Sequence, residues 1–369
     1  MREPPRPFGD GAENLTRMLT MNRLIRAMRA IRVLALCGLF VWAFADTAGA
    51  AATAVRLACL GEFESFPAWY AHERQWDAAE GIAVELKVLP TGRLLVDNMR
   101  ALDWNLAACG GVPAMLAMLR KDVYAVGVGT DEAAANGIYA RPGSPLFTAD
   151  KAEAGRLMRG GMILCPLGTS AHQILLAWLE GLGLREDDVV IVDTKPEEAL
   201  AAFLGGMGDA VALWSPAAYE ARRRGLREVA NGKDCGLVQP TLIIAERRYA
   251  DGHPQEVTAF LRGYLQAVAA LESMPDREFA PLYRRFLKET AGREISVEEA
   301  LAERAGHTLF TAERQRVLLG GERDGEALRG WLRNVIAFHQ KTGALSSREA
   351  GELERLPLVT PRFLPSGTE

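Results

Sequence analysis

From Val55 onward, short apolar runs alternate with segments of helical periodicity, and the alternation occurs twice along the chain. That pattern restricts the fold to α/β architectures, because strands separated by helices pair in parallel. Val55-Arg56-Leu57-Ala58-Cys59-Leu60 reads as a first strand ending at Gly61, followed by a helix over Pro67–Glu80; Ala83–Val88 reads as the second strand. Helices over Arg93–Leu102 and Val112–Arg120 flank the short run Leu106-Ala107-Ala108, and Tyr124–Val128 is the next strand. The turn Arg141-Pro142-Gly143-Ser144-Pro145 then interrupts the series. Beyond it come strand Met162–Cys165, helix Ala171–Leu182, strand Val189–Asp193, helix Pro196–Leu204 and strand Ala210–Trp214. From Pro254 the pattern is mostly helical, with its strongest amphipathic stretch over Val257–Leu271.

The first fifty residues stand apart from this pattern and read as an export signal with its three parts in order. Arg17, Arg23, Arg26, Arg29 and Arg32 form a positive flank, the apolar run Val33–Phe44 follows, and Ala48-Gly49-Ala50 offers a small-residue cleavage site. The run has 12 residues, whereas a membrane-spanning helix needs roughly 20, so a cleaved signal is expected rather than an anchor. Leu36 precedes Cys37, where a lipid-modified cysteine would follow a small residue. Removing residues 1–50 leaves 36 basic and 43 acidic residues, a charge of −7, which excludes a basic nucleic-acid binder. Cys59, Cys109, Cys165 and Cys235 are widely spaced without a CxxC pair, so they carry no zinc or redox signal. No cofactor motif is present. A Gly-x-Ser-x-Gly elbow and a His-Glu-x-x-His motif are absent around the five histidines, His72, His172, His253, His307 and His339, which argues against a secreted hydrolase.

Two exported α/β lobes without a catalytic motif suggest a receptor that closes on a solute in the cleft between them. Ligands in open α/β sheets bind beyond the carboxyl ends of the strands. In the first half this singles out Gly61-Glu62-Phe63 after the first strand and Gly110-Gly111-Val112-Pro113 after the third. In the second half it singles out Gly168-Thr169-Ser170 and His172 at a strand-to-helix turn. A helix N-terminus leaves N–H groups unpaired and carries partial positive charge, so it can hold an oxyanion without lysine or arginine. The same Thr169 or Ser170 hydroxyl could instead cap its own helix. Phe63 and Trp214 are candidate walls for the apolar part of a ligand, or core residues. Glu62, Asp131 and Glu132 would repel a simple anion and suit a zwitterion bearing an amine.

The order of four segments makes the reading more specific. Cys165-Pro166-Leu167-Gly168-Thr169-Ser170-Ala171-His172, Gly181-Leu182-Gly183-Leu184, Gly208-Asp209-Ala210 with Trp214-Ser215-Pro216, and His253-Pro254-Gln255-Glu256-Val257 together resemble the nitrate/sulfonate/taurine class of ABC-transporter periplasmic binding proteins. The resemblance covers about residues 55–345. It implies a type II periplasmic binding fold with two βα lobes and an interdomain cleft: lobe one over 53–150 plus 246–345, lobe two over 151–245, and a C-terminal tail over 346–369. It also implies a periplasmic, monomeric, non-enzymatic solute-binding protein that hands a taurine- or alkanesulfonate-like solute to an ABC-transporter permease, without metal, cofactor or nucleic acid. Its ligand would meet Glu62, Phe63, Gly110, Gly111, Gly168, Thr169, Ser170, His172 and Trp214. Nitrate, bicarbonate or a thiamine or pyrimidine precursor are the alternative solutes, a sensor that presents its bound solute to a membrane partner is another class, and a secreted enzyme the least favoured. The family's loop after the first strand often begins with Gly-Tyr, whereas this chain has Gly61-Glu62.

Overall fold

The computed structural model describes residues 52–98, 101, 103–120, 123–320, 325–355 and 359–366. The expected export signal lies outside them. Eleven strands among the described residues build two sheets: β1 (Thr53–Leu60), β2 (Ile82–Leu89), β3 (Leu106–Gly110), β4 (Val123–Asp131), β5 (Gly137–Ala140), β6 (Met162–Leu164), β7 (Val190–Val192), β8 (Ala210–Leu213), β9 (Arg227–Asn231), β10 (Pro240–Glu246) and β11 (Thr308–Leu309). The first sheet has the order β11-β4-β10-β3-β1-β2 and the second β7-β6-β8-β5-β9.

The two sheets share a plan. β1 lies between β2 and β3 and is parallel to both, as β6 is to β7 and β8. In the first sheet β10 runs antiparallel to β3 and β4, and in the second β5 runs antiparallel to β8 and β9. These are the strands that arrive from the other lobe: the chain leaves the first sheet after β4, enters the second at β5 and returns at β10. This is the type II arrangement of two βα lobes. The lobe boundaries therefore differ from the expected ones. The expected cuts follow the Arg141–Pro145 turn and the end of the second apolar series, but β5 already pairs in the second sheet and β10 already in the first. The crossings are residues 132–136 and 232–239. They are tied side by side, since Gln239 N–H donates to Asp131 Oδ1 at 3.0 Å, Asn136 Nδ2 donates to Gln239 Oε1 at 3.1 Å, and Gly232 N–H donates to Ala133 O at 2.8 Å.

Burial explains why the helical second half of the chain folds onto the first lobe. The Pro254–Ser273 helix, started by proline at its first turn, places Val257, Phe260, Leu261, Tyr264 and Val268 among apolar residues of β1, β3 and β10. The Asp276–Ala291 helix sets Phe279, Tyr283 and Phe286 against Phe63 and Phe66, and each fully buried ring contributes about 1.5–3 kcal/mol. The helix expected over Pro67–Glu80 is two, Phe66–Glu73 and Trp76–Ala79, broken where Gln75 takes a left-handed φ of 57°. Residues after 345 are not a loose tail in their described part. The Ser347–Arg355 helix buries Ala350 and Leu353 in the first lobe, Thr360 N–H donates to Ala125 O at 3.1 Å, and Phe363 is fully buried against Tyr124. Cys59, Cys109, Cys165 and Cys235 are all free thiols, the first three buried. No helix among the described residues is long and apolar enough to cross a membrane.

Candidate functional site

The carboxyl ends of both sheets meet across the cleft and enclose a cavity of about 50 Å³. The first lobe contributes Leu60 at the end of β1 and Glu62 just beyond it, Thr91, Gly92 and Arg93 after β2, Gly110 at the end of β3, and Glu132 after β4; the second contributes Gly168, Thr169 and Ser170 after β6 and Trp214 after β8. Gly168 has a φ of +71°, a conformation natural to glycine, and an added Cβ there would lie 3.9 Å from the Arg93 guanidinium. At Gly110 a Cβ would lie 3.7 Å from Glu132 Oε1. The lobes touch directly at this point, because Trp214 Nε1–H donates to Glu62 Oε1 at 3.0 Å.

The cavity is rich in acids. Burial pushes the Glu62 carboxyl up to about 7, a rise opposed by the Trp214 N–H and by Arg293. Burial and the neighbouring Glu62 push Glu132 up to about 8, against hydrogen bonds from Asn136 and Ser170. Glu64, beneath them and without a hydrogen bond at Oε1, is raised well above the carboxylate range by burial and then by Glu62 and Glu132. Among the described residues, Arg93 is the one basic residue lining the cavity; it is two-thirds exposed and lies 3.6 Å from Asp97. Among the described residues no cluster of three or more His, Cys, Asp or Glu could hold a metal.

The structure divides the sequence-derived candidates. Glu62, Gly110, Gly168, Thr169, Ser170 and Trp214 line the cavity. Phe63 does not: its ring stacks on His307 at 4.5 Å and packs with Phe66, Phe279 and Tyr283 in the first-lobe core. Gly111 begins the Gly111–Arg120 helix, where a Cβ would meet Pro240 O at 2.7 Å, so its role is close packing against β10. His172 is buried one turn behind the cavity. Its Nδ1 accepts from Gly168 N–H at 3.2 Å, its ring meets Phe338 edge-on, and burial holds its pKa below the usual value, so the neutral ring braces the turn. Thr169 is engaged in both directions, donating to Pro166 O at 2.7 Å and accepting from His172 N–H at 3.4 Å. It is thus the cap of the Ser170–Gly181 helix, whose N–H groups at Ser170 and Ala171 have no intrahelical acceptor. The Thr91-Gly92-Arg93 turn was not among the candidates, although it too follows a strand, and its position past the end of β2 was the available signal.

Two βα lobes, crossed twice and closing at the carboxyl ends of both sheets, have the architecture of the periplasmic binding proteins. The chain belongs to the NMT1/THI5-like family, which matches residues 62–278. A Bacillus subtilis (strain 168) protein named for aliphatic sulfonate binding is 27% identical over 223 residues, covering 59% of this chain and 65% of that protein. An Escherichia coli (strain K12) protein named for the same ligands is 26% identical over 196 residues, covering 52% of this chain and 59% of that protein. The chain thus matches less than two thirds of the length of either relative. The crystal structure of the periplasmic aliphatic sulphonate binding protein SsuA from Escherichia coli superposes with a TM-score of 0.65 at 20% identity, over 81% of this chain and 96% of that one.

Proposed function

We propose that this chain is the extracytoplasmic solute-binding component of an ABC importer, a monomer that captures a small oxyanion-bearing organic solute between its lobes and delivers it to the permease without a chemical step. The observation that carries this reading is the cavity itself, formed where the carboxyl ends of both sheets face the start of the Ser170–Gly181 helix. Helix N–H groups and the Arg93 guanidinium supply the positive potential for a sulfonate. The family and the ligands named in its relatives support the choice of a taurine- or alkanesulfonate-like solute. Within that class, an amine cation placed beside Glu62 and Glu132 would draw off the protons their carboxyls hold, which favours a solute with an amine over a bare anion such as nitrate.

A thermal-shift screen over taurine, alkanesulfonates, nitrate, bicarbonate and thiamine precursors tests the reading, since a ligand that binds only the native state raises its melting temperature. A sulfonate is expected to give the largest upward shift. With that solute, Ser170→Ala is expected to weaken binding by roughly tenfold, the loss of one hydrogen bond to a charged group. Thr169→Ala, whose hydroxyl is spent on its own helix, is expected to lower stability by about 1 kcal/mol and leave affinity nearly unchanged. A panel in which no sulfonate moves the melting temperature would remove this solute class.

A further inference from the structure

A second cavity, of about 380 Å³, opens between the lobes on the far side of the Trp214-Ser215-Pro216 segment. Its volume falls within the range of small-molecule sites. Leu200, Ala201 and Leu204 of the Pro196–Leu204 helix and Pro216, Ala217 and Tyr219 of the second lobe form one wall, and Ile295 and Glu303 of the first lobe form the other. The Tyr219 hydroxyl is tied to Ala302 O at 2.9 Å, which leaves its ring as wall. The chamber is therefore largely apolar, with charge around its rim and one carboxyl, Glu303, covered at its floor.

The charges at the rim are already matched. Arg293 pairs with Glu197 at 2.7 Å, Arg224 with Glu220 at 2.7 Å, Arg223 with Glu299 at 3.3 Å and Lys288 with Glu294 at 2.8 Å. Glu303 is the exception. It is 1% exposed and lines the chamber; its Oε1 accepts from the Ser215 hydroxyl, and its Oε2 has no hydrogen bond of normal geometry. Every neighbour that could compensate it falls short of a cation in contact. His307 Nδ1 lies 3.6 Å from Oε2, but that nitrogen is 2.7 Å from Glu303 O, and burial holds the ring neutral with a pKa of about 4. The Tyr283 hydroxyl and Arg293 favour the charged form only in part, while Glu62 opposes it, and burial outweighs them all.

We propose that this chamber binds an organic ammonium compound with a compact apolar body, its cationic nitrogen beside Glu303, whose covered side chain turns toward the chamber to meet it, and its body against Leu200, Leu204, Tyr219 and Ile295. The apolar wall selects an alkyl or aryl amine over a hydrated metal ion, and the Glu303 carboxyl, which yields its proton to a cation beside it, selects it over an alcohol or an acid of the same shape. Because the walls come from both lobes, occupancy is coupled to their closure. The site is separate from the oxyanion cavity, so it does not depend on the sulfonate reading.

Calorimetric titration of the whole protein with n-hexylammonium, 1-hexanol and hexanoate tests the assignment. Hexylammonium is expected to bind at least tenfold more tightly than hexanol, with hexanoate weakest. Glu303→Gln, which keeps the Ser215 hydrogen bond, is expected to bring hexylammonium down to the level of hexanol. Ala201→Trp, at an exposed wall position on the other lobe, fills the chamber without touching Glu303 and is expected to abolish both, so the proposal stays testable if the first variant does not fold. Burial holds the Glu303 proton to a pKa of about 8, so hexylammonium is also expected to release a proton at pH 7, read as a buffer-dependent heat. Hexylammonium that binds no better than hexanol, or that ignores both variants, would overturn the proposal. Ethanesulfonate titrated in parallel reports on the other cavity, so failure of one reading is not mistaken for failure of the other.

Discussion

Between pH 6.5 and 8.5 the unliganded protein is expected to lose about 4 kcal/mol of stability. The carboxyls of Glu132 and Glu303 keep their protons in the folded chain up to about pH 8, and Glu62 to about 7, mainly because they are buried. In the unfolded chain each would lose its proton near 4.5. Over that interval the native state binds more protons, so the stabilisation is complete below about pH 4.5 and is lost as the pH rises through the folded values. The buried His307 acts in the other direction, since its folded pKa of about 4 adds stability as the pH rises toward 6.5. The fall is therefore read above 6.5, where roughly 1.5 units remain for each of Glu132 and Glu303, or about 2 kcal/mol apiece at 1.36 kcal/mol per unit. Urea unfolding at four pH values measures it. Glu132→Gln is expected to remove about half of the slope. Stability that rises from pH 6.5 to 8.5 would mean that these carboxyls are ionised in the native state.

Trp214→Ala is expected to weaken solute binding by 30- to 1000-fold. The indole comes from the end of β8 in the second lobe, forms part of the cavity wall, is 8% exposed and donates to Glu62 in the first lobe. Truncation removes a buried aromatic from the centre of an interface, a change that typically costs about 2–4 kcal/mol, and leaves the half-buried Glu62 carboxyl without its donor. Trp214→Phe keeps most of the ring and isolates the N–H, so its loss should be about tenfold. Titration calorimetry with the solute found by thermal shift separates the two. Wild-type affinity in Trp214→Ala would assign the residue to the fold alone.

Much of this architecture was readable before any coordinates. The Pro196–Leu204 helix and the strands read over 55–60, 83–88 and 210–214 follow from apolar runs bounded by glycine or proline, a local signal. The crossings were not readable in the same way. Nothing local in Gly137-Ile138-Tyr139-Ala140 or Pro240-Thr241-Leu242-Ile243 says which sheet will receive the strand; that is decided by pairing with β8 and β9, and with β3 and β4. The site shows the same division. Gly168 follows from its position past a strand end and Trp214 from its place at one, both of which the chain order determines. Phe63 and Glu62 are adjacent yet go to different places, one into an aromatic core and one to the cavity, and only packing against the Asp276–Ala291 helix separates them. His172 looked like a ligand because it sits in the first turn of the helix. Its ring instead turns back to the Gly168 N–H and Phe338, two partners more than three residues away, one of them in the other lobe.

Capture by closure is the central step of the proposed function, because the cavity exists only where the two sheets' carboxyl ends are brought together. Small-angle X-ray scattering of the protein with and without the solute identified by thermal shift tests it directly. A smaller radius of gyration is expected at saturating solute, with Trp214→Ala requiring correspondingly more solute to reach it. A radius that stays the same at saturation would contradict closure and place the solute on one lobe or in a rigid pocket.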